Sequence, residues 1–160
     1  MNILDWLKNT PMAMWVVTSN YGYYICLAGH AVGMAVVAGT MFMVCLRVLG
    51  FSPSTPLRTF ERLFKIAWAG FALNLITGLM LFAANGKNLL ENAAFDIKIT
   101  VIAIGGVTVL LLWRSINADP GLIDGNAAAA PRAKVMAAVT LGCWIAAIVA
   151  GRIIGYTINY

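Results

Sequence analysis

The chain of 160 residues holds one histidine, His30, and it lies within a long apolar run from about Tyr23 to Leu49. An ionisable group inside such a run is costly in hydrocarbon and is a functional candidate by default. At about 100° per helical residue, Tyr23, His30, Met34, Met41 and Cys45 share one stripe. A His-Met-Met-Cys set is the soft-donor chemistry that Cu(I) prefers, which makes His30 a candidate metal ligand. Methionine also fills cores without binding anything, and one helix cannot complete a coordination sphere.

Two cations belong to the same question. Lys98 stands near the start of a third apolar run, and Arg152 near the end of a fourth, with Asp96 and Tyr156 close by. If those ends share one side of a membrane, His30, Lys98 and Arg152 converge at one depth. An imidazole with two cations suits an anionic or carbonyl-bearing ligand. Haem b fits, with His30 as axial ligand and Lys98 and Arg152 on the propionates. A quinone head group hydrogen-bonded by His30 fits as well, with Tyr156 beside it. A bis-histidine haem needs a second histidine, which the chain lacks. That leaves a single-His haem, a ligand from another subunit, or a His/Met pair, for which Met80 is better placed than Met34 on the same helix as His30. The plainer alternative has Lys98 and Arg152 snorkelling to lipid phosphates while His30 bonds a helix backbone. No serine has a base in prospect, no run carries a carboxylate pair, and there is no phosphate loop. The residues point to a subunit rather than to an enzyme acting alone.

These side chains need spanning helices to position them. The set AVILMFWYC makes up 61% of the chain and charged residues only 11%, against about 45–50% and about 25% in soluble domains. So few charges cannot coat a chain of this size, so the excess must face lipid. A spanning helix needs about 20 mostly apolar residues, and four segments qualify: about 23–49, 66–84, 94–113 and 135–154. The expected fold is a single all-α membrane domain, a four-helix bundle. Breakers separate the runs: Ser52-Pro53-Ser54-Thr55-Pro56, Asn85-Gly86-Lys87-Asn88, and a linker over 117–131 whose Pro, Gly and Ala content suggests mobility. No internal repeat supports a miniature transporter.

Residues 1–22 lack a basic start and a cleavage site, and so do not read as a signal peptide. Ile3, Leu4, Trp6 and Leu7 suggest a short interfacial helix ended by Thr10-Pro11. Thr10 can then cap a second short helix with Pro11 in its first position. Trp6, Trp15, Tyr21, Tyr23 and Tyr24 would form an aromatic belt at the membrane surface. A re-entrant path through Met12–Val17 is the less favoured alternative.

The net charge of +5 does not indicate nucleic acid, because the basic residues sit at the ends of apolar runs rather than in a stripe. Seven fall on one side: Arg47, Arg58, Arg62, Lys65, Arg114, Arg132 and Lys134. Four fall on the other: Lys8, Lys87, Lys98 and Arg152. The bias places both termini outside the cytoplasm. Cys26, Cys45 and Cys143 stand singly in apolar runs and read as small buried side chains.

Small residues at four-residue spacing, Gly70-Asn74-Gly78 and Gly142-Ala146-Ala150, predict close helix packing. Asn74 is mid-span, and its amide should face a neighbouring helix. Membrane lipids, other membrane subunits or further copies of the chain are the expected partners.

Ala28-Gly29-His30-Ala31-Val32-Gly33, Leu46-Arg47-Val48-Leu49-Gly50, Ala67-Trp68-Ala69-Gly70-Phe71 and Thr77-Gly78-Leu79-Met80-Leu81-Phe82 form an ordered set of motifs. Thr10-Pro11 precedes them, and Asn92-Ala93-Ala94-Phe95-Asp96-Ile97-Lys98 and Ala150-Gly151-Arg152-Ile153-Ile154-Gly155-Tyr156 follow. Together they resemble a domain-of-unknown-function family of four-helix bacterial inner-membrane proteins, over nearly the whole chain. The resemblance makes His30, Trp68, Lys98 and Arg152 family-typical positions, with Ala93 standing where the family often has proline. It implies the four-span fold and an inner-membrane location, and no activity. A more distant likeness to copper-resistance membrane proteins rests on the early histidine. Two functions are expected on these grounds. One is a haem- or quinone-associated electron-transfer subunit that binds its ligand in the outer half of the bundle. The other is a structural or assembly subunit with no cofactor of its own.

Overall fold

A computed structural model describes residues 3–125 and 127–157, without the Glu61 side chain. Met1, Asn2 and Asn126, which belong to the expected amino-terminal and linker segments, lie outside the described residues. Seven α-helices make up the described chain: α1 Ile3–Lys8, α2 Pro11–Thr18, α3 Gly22–Leu49, α4 Glu61–Leu90, α5 Ala93–Asn117, α6 Pro120–Asp124 and α7 Pro131–Thr157. A 3-10 turn at Leu57–Phe60 leads into α4. Four helices, α3, α4 with its leading turn, α5 and α7, are long and apolar enough to cross a membrane, and they run alternately up and down.

The amino terminus forms as its residues predict. Pro11 opens α2, and the Thr10 hydroxyl accepts a hydrogen bond from the Ala13 amide at 3.4 Å. Ala13 and Val16 are buried, and Val16 packs with Cys26 and Ala84 near one end of the bundle. The turn into α3 needs glycine at position 22. A Cβ there would stand 2.5 Å from the Trp15 carbonyl oxygen.

The spans are longer than their apolar runs. At Asn85-Gly86-Lys87-Asn88 the helix does not end. Asn85 leaves helical geometry (φ −131°, ψ 23°), and α4 resumes beyond it to Leu90. Glycine and asparagine lower helix propensity without forbidding helix, and the burial of Ala84, Gly86 and Leu89 holds the last turns in place. The connection to α5 is then only Glu91 and Asn92. The Asn92 side chain caps α5 by accepting from the Ala94 amide at 2.9 Å, and donates to the Thr157 hydroxyl of α7 at 2.8 Å.

At the opposite, basic end, Gly50 (φ 111°) closes α3 in the left-handed conformation that glycine adopts without strain. The linker over 117–131 carries helix α6, capped by Asp119, whose carboxylate accepts from the Leu122 amide at 3.1 Å. Leu122 enters a core with Val44, Cys45, Val48, Leu57, Leu112, Ile116, Ala133 and Ala137. Arg58 pairs with Asp124 at 3.0 Å and ties the first linker to the third. Arg47 is only 3% exposed, and its Nε donates to the Thr55 carbonyl at 2.6 Å.

Two antiparallel pairs make the bundle: α3 with α4, and α5 with α7, joined where α3 meets α7. Helices α4 and α5 lie further apart and touch through aromatic rings. Phe82 stacks on Phe95 (5.9 Å between centroids) at one end, and Phe64 meets Trp113 edge-on (4.7 Å) at the other.

The first pair is as close as its glycines permit. A Cβ on Gly33 would stand 2.7 Å from the Gly70 carbonyl oxygen, and one on Gly70 would stand 2.8 Å from Val36 Cγ1. The second pair uses a different stripe from the one expected. No atom lies within 4 Å of a Cβ built on Gly142, which faces away from the described chain. The buried residues of α7 are Ala133, Ala137, Thr140, Ala147, Ala150 and Ile154, so Ala150 of the expected stripe lies inside while Gly142 does not, and α7 meets α5 through Thr140, Cys143 and Gly151. A strict spacing of four drifts round a helix of about 3.6 residues per turn, which is why Gly142 and Ala150 do not share one environment.

Candidate functional site

Helices α3, α4, α5 and α7 each contribute to one polar cluster within the bundle. His30 Nδ1 lies 3.0 Å from the Asn74 carbonyl oxygen and 3.3 Å from the Thr77 hydroxyl. His30 Nε2 lies 3.5 Å from Lys98 Nζ. An ammonium carries donors only, so Lys98 donates, Nε2 accepts, and the ring proton sits on Nδ1 and is donated to the Asn74 carbonyl. In return the Asn74 side-chain amide donates to the His30 carbonyl at 2.8 Å. Thr77 donates to the Leu73 carbonyl at 2.6 Å, the usual way a mid-helix threonine satisfies its hydroxyl.

Glycines flank the cluster, tightly at Gly78 and in ordinary contact at Gly151. A Cβ on Gly78 would stand 3.0 Å from His30 Cε1. A Cβ on Gly151 would reach Lys98 Nζ at 3.6 Å. The imidazole therefore lies against the bare backbone of α4, and the Lys98 side chain against that of α7. Both His30 and Lys98 are half-buried. Among the described residues the ion pair is Arg58–Asp124, at the far end of the bundle, so Lys98 enters the interior without a carboxylate beside it.

The predicted site residues divide into two groups. His30, Lys98, Asn74 and Gly78 come together, with Gly70 one to two turns further along the same face of α4. Arg152 does not join them. Its guanidinium lies over the Tyr156 ring, 5.1 Å from the centroid, on the exposed side of α7. It follows Gly151 by one residue, and a step of about 100° turns it away from Lys98. Met80 does not face His30 either. Its sulfur meets Cys26 Sγ at 3.9 Å, one helical turn from His30 along α3. Met41 and Cys45 are buried further along α3, towards the basic end. Among the described residues no three His, Cys, Asp or Glu side chains gather as a metal would need. Ala146 is half-buried on α7, beside the buried Ala147.

Thr77 and Gly151 belong to the site without having been singled out from the chain. Thr77 carried a usable signal, since it lies three residues after Asn74 on the same face. Gly151 stands beside the small-residue stripe of the fourth run, which marks it for helix packing, but its contact with Lys98 depends on where α5 docks. A second polar pair, Thr140 donating to Thr108 at 2.8 Å, joins α7 to α5 away from the histidine. Thr140 is fully buried.

Compared with protein-family models, with curated proteins and with solved structures, the chain matches none.

Proposed function

We propose that the protein is a quinone-associated electron-transfer subunit of the bacterial inner membrane, taking the quinone head group at His30 and Lys98. The observation that carries this reading is the pairing of an acceptor, His30 Nε2, with a donor, Lys98 Nζ, at 3.5 Å inside a bundle of apolar helices. Quinone carbonyls only accept hydrogen bonds, and quinol hydroxyls also donate. Lys98 supplies the donor that both forms require, and His30 supplies the acceptor that only the quinol uses. The carbonyl of Asn74 holds the imidazole in the tautomer that leaves Nε2 unprotonated, an acceptor that Lys98 meets here and that a quinol hydroxyl would take in its place. The excess of basic residues at the other end favours a topology in which that end is cytoplasmic and the His30–Lys98 pair lies in the outer half of the bundle.

The same geometry favours a quinone over haem b. Iron or a quinol hydroxyl would each displace Lys98 from Nε2, but a macrocycle would in addition have to spread beside the imidazole against the α4 backbone at Gly78. Met80 is engaged with Cys26, and Arg152 with Tyr156, so neither is poised as a sixth ligand or propionate partner. A second reading rests on the reciprocal bonds between His30 and Asn74. In it the cluster locks α3 to α4, and the protein is a structural subunit of a membrane complex.

Binding of a short-chain benzoquinone to the purified protein, followed by tryptophan quenching, separates the two. The expected result is saturable binding weakened about tenfold or more in Lys98→Met, as for loss of a charged hydrogen bond, with the melting temperature retained. Absence of saturable binding to the wild type, or equal binding by Lys98→Met and His30→Gln, removes the quinone reading.

A further inference from the structure

At the basic end, where α4 and α5 touch through Phe64 and Trp113, a cavity of about 350 Å³ lies among α3, α4, α5 and the linkers. Its walls include Leu57, Phe64, Trp68 and Trp113, and its rim carries Arg58 and Lys65. The buried Val44 and Ile116 also line it, and Phe64 meets Trp113 edge-on within the lining. Trp68 is 71% exposed on the outer face of α4, where a buried core would not place it.

The level of this cavity in the membrane follows from the apolar runs alone. The second run begins at Ile66 and the third ends at Trp113, so both tryptophans sit just inside the hydrocarbon boundary. Indole rings concentrate at that level. Lys65 and Arg58 lie just outside it, where head-group phosphates lie. The polarity gradient of the cavity thus matches that of a phospholipid: apolar below, cationic at the rim. Arg58 is held in place by Asp124 at 3.0 Å, while Lys65 is exposed. Basic pockets between transmembrane helices recognise acidic head groups.

We propose that this cavity binds an acidic phospholipid of the phosphatidylglycerol type. Its phosphate lies between Arg58 and Lys65, and an acyl chain passes between Trp68 and Trp113 along the gap separating α4 from α5. Free phosphate lacks the apolar part that the walls would cover, so the lipid is the occupant. The site is at the opposite end from His30 and stands independently of the quinone reading.

Thermal melting of the detergent-solubilised protein with added phosphatidylglycerol, phosphatidylcholine or inorganic phosphate tests the proposal. Phosphatidylglycerol is expected to raise the melting temperature saturably, and the other two are not. Arg58→Gln and Lys65→Gln should each weaken phosphatidylglycerol about fivefold. Asp124→Asn, which frees Arg58 without removing it, should leave the affinity equal or tighter. The proposal is overturned if phosphatidylcholine matches phosphatidylglycerol, if inorganic phosphate reproduces the effect, or if both glutamine variants bind the acidic lipid as the wild type does.

Discussion

His30 and Asn74 hold one another from both directions: the imidazole Nδ1–H donates to the Asn74 carbonyl at 3.0 Å, and the Asn74 amide donates to the His30 carbonyl at 2.8 Å. Two helices are thereby fixed in register and rotation at one point. A backbone carbonyl is the partner on each side, so the brace survives changes in neighbouring side chains. It also aims Nε2 at Lys98.

Removing one arm of this brace should weaken the protein modestly. Asn74→Leu keeps the number and branching of side-chain heavy atoms and deletes the amide, and the expected loss is about 1 kcal/mol, the scale of hydrogen bonds between membrane helices. Reversible unfolding in mixed micelles would measure it. A loss indistinguishable from zero would show that the amide bond does not hold α3 to α4.

The two glycine stripes should behave oppositely. In Gly33→Val the added carbons meet the Gly70 carbonyl, for which a Cβ alone stands at 2.7 Å, and α3 must move away from α4. Gly142→Val meets open space. Monodisperse yield and melting temperature should fall sharply in the first and stay near wild type in the second. If Gly142→Val disperses a purified oligomer while the fold is retained, that face of α7 is covered by another chain.

Lys98→Met removes a half-buried amine with no carboxylate beside it. The uncompensated cost of burying that charge disappears with it, so the melting temperature should hold or rise even as quinone binding falls. A large drop in stability would instead assign Lys98 a structural role.

Thr108 and Thr140 should be energetically coupled. The Thr140 hydroxyl donates to Thr108, which donates onward to the Gly105 carbonyl at 2.9 Å. A double-mutant cycle with Thr108→Val and Thr140→Val should return about 0.6 kcal/mol of coupling. Additive losses would mean that each hydroxyl is satisfied independently.

Arg47→Ala should loosen the first linker. The guanidinium bond to the Thr55 carbonyl at 2.6 Å is lost, and a cavity opens beneath residues 50–56. Faster cleavage at that linker in limited proteolysis is the expected result, with the other linker unaffected.

Much of the fold is legible along the chain because apolar length is a local property. Four runs are enough to count the spans, and Thr10-Pro11 is enough to start α2, since a cap and its helix are contiguous. The breaker at Asn85 to Asn88 takes the form of a kink at Asn85 rather than the end of α4, because propensity is a weak term beside the burial of Ala84, Gly86 and Leu89. Half of the predicted site comes together. Depth along the membrane can be counted from the run boundaries, which brings His30 and Lys98 to one level. Rotation about a helix axis cannot be counted so, and it turns Arg152 onto Tyr156 and Met80 onto Cys26.

By itself, then, the sequence determined that four helices are long and apolar enough to span a membrane, and which few ionisable groups lie inside their apolar runs. Only the tertiary structure decided which faces meet: α3 on α4 through Gly33 and Gly70, α7 on α5 through Thr140, Cys143 and Gly151, and Lys98 against His30 across the bundle. The physical reason is that hydropathy acts on each segment separately. Helix pairing in lipid has no hydrophobic drive and depends on the fit of small surfaces that come from distant parts of the chain.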